Sequence, residues 1–465
     1  MSNGPMAQTL ERRLGVFSAT TLIVGSMIGS GIFIAPSIMA GYVATPGVYL
    51  GLWLIGGLLT LLGALAYGEL CAMMPRAGGQ YVFLREAFGP LTGFLYGWTV
   101  FLVIQSGFNA AVAIAFSKFL GGLGLHLGEN DLLFKLGFFT LSRAQVVAVV
   151  IIIVLTWVNC RGVEAGALVQ NLFTVLKVGA IALLVFIGFA SGKGSFRHFT
   201  PLAGSELGPT AVSMTFLAAV GVSMSKALFA YDAWNTVTFA AEEIREPQRN
   251  LPRALVLGSV VTTLVYTGAC AVFLYILPLP EMARVVENRV AADVAGVLLG
   301  GLGVTAVSIA ILISTFGCVN GLILGGGRVL FAMARDGLFF PSAGRVHPRH
   351  HTPANALIVQ GIWSSVLALS GSYSNLLTYV TFASLAFNAL TVVGLFVLRR
   401  KQPDLPRPYR TWGYPLTPAL YLIGAGFFVV YIFIGDKRDA LIGIGLVLLG
   451  LPAYALFRRR PAAAA

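Results

Sequence analysis

An all-α polytopic membrane protein is the fold class this sequence predicts, and three observations carry the prediction. Of 465 residues, 57% are apolar and only 11% charged, with a mean hydropathy of +0.84; a soluble domain carries about 25% charged residues. The apolar residues fall in long runs, enough in total for about a dozen spans of about 20 residues each. Lys and Arg are concentrated in alternate loops between those runs. Disordered, collagen-like and disulfide-scaffold classes are excluded, because the chain is too apolar, has no Gly-X-Y period and has only 4 Cys.

Taken in order, the spans lie near 17–41, 47–74, 90–120, 143–160, 166–190 and 211–241, then near 253–277, 294–326, 354–372, 376–398, 416–435 and 440–457. With twelve spans both termini fall on one side. Of the 31 Lys and Arg, 20 lie on that side and 9 on the other, with Lys177 and Lys226 inside spans. The positive-inside rule makes that side the cytoplasm and the protein multi-pass in the cytoplasmic membrane. The net charge of +13 is therefore a topology signal, and no nucleic-acid partner is expected. The first span is too long for a signal-peptide core and lacks a cleavage site. The loop 75–89, PRAGGQYVFLREAFG, mixes charges with aromatics and predicts an interfacial helix on the cytoplasmic surface.

Cys71, Cys160, Cys270 and Cys318 lie in or at the ends of spans and form no CxxC pair, so no structural disulfide is expected. HPRHH at 347–351 lacks a companion carboxylate or Cys and reads as solvated charge rather than a metal site. Gly192-Lys193-Gly194-Ser195 lacks the spacing of a phosphate loop. The run Gly325-Gly326-Gly327 reads as close helix packing. No metal, cofactor or enzymatic activity is expected: spans three, four, seven, nine, eleven and twelve offer no acid–base pair or ligand set at membrane depth.

The informative spans are the first and the sixth. GSMIGSGIFIAP carries Gly25, Gly29 and Gly31 within seven residues, and glycine costs about 1 kcal/mol in a helix interior relative to alanine. Either a break or close GxxxG packing of Gly25 and Gly29 accounts for it. In the sixth span, Tyr231, Asp232, Trp234 and Asn235 cluster in five residues. A carboxylate at mid-membrane costs about 2.5–3.5 kcal/mol on insertion scales, so Asp232 should face a cavity or a partner. Five spans separate the two segments, the interval at which inverted repeats place their discontinuous first helices. Repeat one would cover 14–190, repeat two 211–398, with 416–457 appended. A broken helix offers amides to a carboxylate and carbonyls to an ammonium, which suits a zwitterionic amino acid.

GSMIGSGIF, MMPRAGGQYVF and EEIREPQRNLPRA resemble the amino acid–polyamine–organocation transporters. VNCRGVEAGALVQNLFTVLKVGA, LFAYDAWN and STFGCVNGLILGGGRVLFAMARDG are similar to the L-type amino-acid transporter branch of that superfamily, above all its bacterial members. The resemblance runs from residue 14 to about 457. It implies a leucine-transporter-type fold, twelve transmembrane helices in a 5+5 inverted repeat with helices 1 and 6 broken, and sodium-independent amino-acid transport, usually as exchange. It implies substrate contacts at Ile28, Gly29, Ser30 and Gly31, and at Phe229, Ala230 and Tyr231 through backbone carbonyls, with Phe229 as outer gate. Asp232 and Asn235 complete the expected site. Asp232 stands where animal members often carry glycine, so small or medium neutral substrates such as alanine, serine, cysteine or threonine are expected. Animal members bind a heavy chain through a cysteine in the loop after span three; residues 121–142 contain none, so no disulfide-linked heavy chain is expected.

Lys177 lies in span five, too deep for its stem to reach the cytoplasmic boundary about 16 Å away. Sodium-coupled relatives hold an ion between helices one and eight near this level. The expectation is an ammonium bonded to carbonyls near Gly25 or Ile28 and to the hydroxyls of Ser314 or Thr315, making transport sodium-independent. A proton-coupled importer of the same fold and a non-transporting amino-acid sensor are the alternatives. Lys226, one turn before Phe229, either snorkels toward the outer vestibule or pairs with an acidic group.

Overall fold

In a computed structural model, residues 10, 12–121, 123, 127, 131–136, 139–286, 289–370, 373–435 and 437–458 are described. Helices account for nearly all of them, and among the described residues ten are long and apolar enough to cross a membrane. The first span is two helices, α1 (Val16–Met27) and α2 (Gly31–Tyr42), separated at 28–30. Next come α3 (Pro46–Met73), α4 (Gln80–Phe88), α5 (Pro90–Thr99) and, after a π turn at Val100–Ile104, α6 (Gln105–Leu120).

The outer loop carries an antiparallel hairpin of β1 (Leu132–Leu136) and β2 (Phe139–Ser142), which the all-α expectation did not contain. A reciprocal capping box between Ser142 and Gln145 starts α7 (Arg143–Cys160), which is followed by α8 (Val163–Ala190). The sixth span is α9 (Phe216–Tyr231), a non-helical stretch at 232–235 and the single turn α10 (Thr236–Phe239). Then follow α11 (Pro247–Ile276), α12 (Leu279–Met282), α13 (Val290–Leu299) and α14 (Gly301–Arg335). The expected span 294–326 is thus divided and extended. Gly300, at φ 64° and ψ −149°, ends one helix and starts the next in a conformation open only to glycine, and α14 then continues to Arg335. The chain closes with α15 (Ala354–Ser370), α16 (Tyr373–Lys401), α17 (Leu416–Gly435), α18 (Lys437–Leu448) and α19 (Gly450–Arg458).

Glycines let these helices approach closely, as expected where lipid supplies no hydrophobic drive between them. A Cβ on Gly258 of α11 would meet Ile23 of α1 at 2.5 Å, and one on Gly327 of α14 would meet Leu357 of α15 at 2.7 Å. The triple-glycine run is therefore helix packing.

The segment 75–89 departs from expectation. Only Gln80–Phe88 is helical, and Gln80, Tyr81, Val82, Phe83 and Leu84 are buried rather than lying on a surface. The turn at Gly78 and Gly79, both at positive φ, folds α4 inward, and the Gly78 amide donates to the Phe239 carbonyl at 3.0 Å.

Candidate functional site

The C-terminal end of α1 presents carbonyls that no later turn of helix can satisfy. Four side chains from three other helices reach them. The Lys177 ammonium of α8 donates to the carbonyls of Gly25 (2.7 Å), Ile28 (2.7 Å) and Ser314 (3.0 Å). Three N–H donors meet three acceptors, a complete set for an ammonium. The Ser314 hydroxyl of α14 also donates to the Ile28 carbonyl at 2.9 Å, and the Cys318 thiol to the Ser26 carbonyl at 2.9 Å. The Tyr266 hydroxyl of α11 lies 2.7 Å from the Met27 carbonyl. Lys177 is fully buried, and its charge sits at the negative end of the α1 dipole.

The expected hydroxyl contacts need correction. Ser314 meets Lys177 through its carbonyl. The Thr315 hydroxyl turns back to the carbonyls of Ile311 (2.8 Å) and Leu312 (3.2 Å) in its own helix, the usual outlet for a helical threonine.

The other side of the break is the start of α2, where Ser30 is the N-cap and the amides of Ser30, Gly31 and Ile32 have no carbonyl one helical turn earlier. The second broken helix comes directly against it. A Cβ on Gly31 would meet the Cα and Cβ of Ala230 at 2.7 Å, and one on Gly29 would meet the Cys318 sulfur at 2.6 Å. Gly31 therefore faces the backbone of the opposite break, and a side chain there would wedge the two breaks apart.

At the second break, the Ala230 carbonyl is 2.9 Å from the same Tyr266 hydroxyl, so one phenol touches the ends of both α1 and α9. The Phe229 carbonyl accepts the Asp232 amide at 3.3 Å. Ala233 takes φ 68°, and the Asp232 carboxylate accepts its amide at 2.7 Å. The Phe229 ring stacks on Phe108 of α6, with centroids 4.8 Å apart and planes 26° apart. The Tyr231 hydroxyl donates to the Trp53 carbonyl at 2.9 Å.

The sequence-derived site residues thus divide. Ile28, Gly29, Ser30, Gly31, Phe229 and Ala230 come together between α1, α2, α9 and α14. Asp232 and Asn235 turn the other way. Asp232 lines a cavity of about 20 Å³ with Thr381 and Asn388 of α16, Tyr421 of α17 and Thr60 of α3, about the space of one water molecule. Asn235 donates to Gln80 (2.6 Å) and Asn388 (3.2 Å). Lys226 is buried, not extended to the surface.

Residues 14–445 match the amino acid permease family. The chain belongs to it. Among similar proteins, the large neutral amino acids transporter small subunit 2 of Mus musculus is 32% identical over 456 residues, 98% of this chain and 82% of that one. The Asc-type amino acid transporter 1 of Mus musculus is 32% identical over 449 residues, 96% and 81% of the two chains. The serine/threonine exchanger SteT of Bacillus subtilis is 31% identical over 455 residues, 97% and 98% of the two chains. The multi-pass membrane reading thus rests on membership of a permease family as well as on apolar helices.

In this permease, sequence reading missed Tyr266, Phe108 and Cys318, each an ordinary aromatic or thiol inside an apolar run. It also missed how the ends beyond the breaks are tied. The amides of Arg13 and Leu14, before α1, both donate to the Glu243 carbonyl at 2.9 Å, just after α10. The Glu243 carboxylate is held by the buried Arg328 guanidinium of α14 at 2.9 and 3.1 Å, a two-pronged pair. Nearby, Tyr81 donates to Asp336 at 2.7 Å, and Arg85 pairs with Asp336 and Glu86. Burial alone would lower the Arg85 pKa, but the two carboxylates outweigh it and hold it above the ordinary value.

Proposed function

We propose that the chain is a sodium-independent exchanger of small to medium neutral L-amino acids, working by alternating access in the cytoplasmic membrane with both termini in the cytoplasm. The observation that carries this reading is the meeting of two helix breaks, one of whose carbonyl ends is occupied by a fixed ammonium. Amides at Ser30 and Gly31 suit a carboxylate, and carbonyls near Phe229 to Tyr231 suit an amine, each keeping a second lone pair beyond its internal bond. Lys177 stands where a cation between α1, α8 and α14 would otherwise neutralise the same carbonyls, which supports transport without sodium. Phe229, stacked on Phe108, is the proposed outer gate. The serine/threonine exchanger, matched along almost its whole length, supports small neutral substrates, as does the close approach of Gly31 to Ala230.

The proposed architecture is the leucine-transporter type. The broken segment 216–239 and Ala354–Ser370 join the ten long helices to make twelve spans. Repeat one is 14–190, repeat two 211–398, and 416–457 is appended; a broken helix opening each half supports the division. Residues 121–142 contain no cysteine for a covalent heavy chain.

Counterflow in proteoliposomes tests the function. Preloaded alanine, serine or threonine should accelerate uptake of labelled substrate, equally with sodium or choline outside. Accumulation driven by a sodium gradient would overturn the reading. The second reading, proton-coupled import, is favoured by one observation, the buried Asp232 carboxylate in its water-sized cavity; accumulation driven by an imposed pH gradient from empty vesicles would select it.

A further inference from the structure

A groove of about 790 Å³ lies where α11 begins, outside everything assigned above. One wall is the first turns of α11, carrying Arg249 and Arg253, and below them Val256 and Leu257. These positions, four and then three or four residues apart, share one helix face. The other wall is Pro408 and Tyr409, from the segment joining α16 to α17. That wall is fixed, because Tyr409 packs on Gly68 of α3 so closely that a Cβ there would meet its ring at 2.9 Å.

The two arginines differ from the others on the same side of the molecule. Arg85, Arg328, Arg335, Arg399 and Arg407 each meet a carboxylate. Arg249 and Arg253 are exposed, and among the described residues neither has an acidic partner. Below them the same face of α11 continues as exposed apolar surface: Leu257 is 50% exposed, Val260 38% and Leu264 68%. From Arg249 to Leu264 the helix rises about 22 Å, from the interface well into the hydrocarbon.

We propose that this groove binds one anionic phospholipid of the cytoplasmic leaflet. The two guanidinium forks take the phosphate, the Tyr409 hydroxyl supplies a further donor, and an acyl chain lies along Leu257, Val260 and Leu264. Charge complementarity selects the occupant: an unpaired arginine pair at the interface matches an anionic headgroup, and the apolar track below has no use for a soluble phosphate. The positive-inside rule accounts for arginines at this level but not for a walled groove continuous with a lipid-facing stripe. The assignment rests on the membrane-spanning reading and on this end being cytoplasmic; it does not rest on the substrate. α11 also carries Tyr266, so a lipid braced here would steady the helix that touches both breaks.

Native mass spectrometry of the full chain, extracted in mild detergent and titrated with phosphatidylglycerol or phosphatidylcholine, tests it. Wild type should retain phosphatidylglycerol selectively, with one tight adduct. Arg249→Gln with Arg253→Gln should weaken that adduct by about thirtyfold, from two lost arginine–headgroup contacts, while Arg349→Gln leaves it unchanged. Tyr409→Phe, which keeps the wall, should weaken it less and serves if the double variant does not fold. Glycerol phosphate should neither compete nor raise thermal stability. Equal retention by wild type and a folded double variant, no preference for the anionic lipid, or competition by the soluble phosphate would each overturn the proposal, and none bears on amino-acid exchange.

Discussion

The two helix breaks solve the same problem in opposite ways. At 28–30 the loose carbonyls of α1 are satisfied from outside, by Lys177, Ser314, Cys318 and Tyr266 of α8, α14 and α11. At 232–235 much of the satisfaction is local: Asp232 caps the amide of Ala233, and the Asp232 amide returns to Phe229. Only the Tyr266 hydroxyl reaches the Ala230 carbonyl from another helix. The first break is therefore held by distant helices and will report their movement. The second carries its own cap and can move as a unit. A carrier that rocks one bundle against another needs both kinds of joint.

Lys177→Ala should have the largest effect. It leaves the Gly25, Ile28 and Ser314 carbonyls short of a charged donor in a buried site, a loss of about 1–3 kcal/mol per unsatisfied group. Counterflow should fall by more than about tenfold, with apparent affinity weakened more on the cytoplasmic side than outside. If Lys177→Ala transports normally, the two breaks do not differ in the way described.

Gly31→Ala comes next, because the added carbon would meet Ala230 at 2.7 Å with backbone among the contacts. Transport should drop severely, and Gly31→Val should abolish it. Ala230→Gly combined with Gly31→Ala should recover part of the activity by removing the Cβ clash; no recovery would mean that the breaks do not meet face to face.

Tyr266→Phe probes the one group common to both breaks. Removing the hydroxyl costs about 1–3 kcal/mol when its acceptors stay buried, so substrate-dependent thermal stabilisation should shrink and KM rise several-fold. An effect larger than that of Lys177→Ala would invert the order argued here.

The positions of the breaks were legible in the sequence because glycines and a polar cluster are rare inside apolar runs, and the depth of Lys177 was legible because no lysine stem reaches so far. The direction in which side chains point was not. Thr315 sits one residue from Ser314 yet faces its own helix, and Asp232 and Asn235 lie beside Phe229 yet turn toward α3, α4 and α16. A four-residue stretch with one residue at positive φ changes its facing at every step, and no periodicity records that. The burial of α4 was equally hidden, since its mixed charges and aromatics fit a surface helix until Gly78 and Gly79 fold it inward.

Phe229→Leu should act more weakly, because it removes a ring stack of about 0.5–1.5 kcal/mol beyond area burial and leaves the backbone intact. Faster loss of bound substrate, measured as shortened retention in a rapid-filtration chase, is the expected sign. Wild-type retention would remove the gate assignment.

Asp232→Asn should be the mildest of the set and the most informative about mechanism. The amide oxygen can still accept the Ala233 amide, so the local cap and the turn at φ 68° survive, and the cavity shared with Thr381, Asn388 and Tyr421 keeps its shape. What disappears is a group able to carry a proton. In an exchanger whose breaks work as described, counterflow by Asp232→Asn should stay within about twofold of wild type, since the 232–235 cap is intact and nothing titrates in the cycle. In a proton-coupled importer, the same variant would keep counterflow but lose accumulation driven by a pH gradient. Measuring both modes on one preparation separates the cap from the charge: loss of both would show that the carboxylate itself, not merely its oxygen acceptor, holds the second break together, and the contrast between a distantly held first break and a self-capped second one would then have to be redrawn.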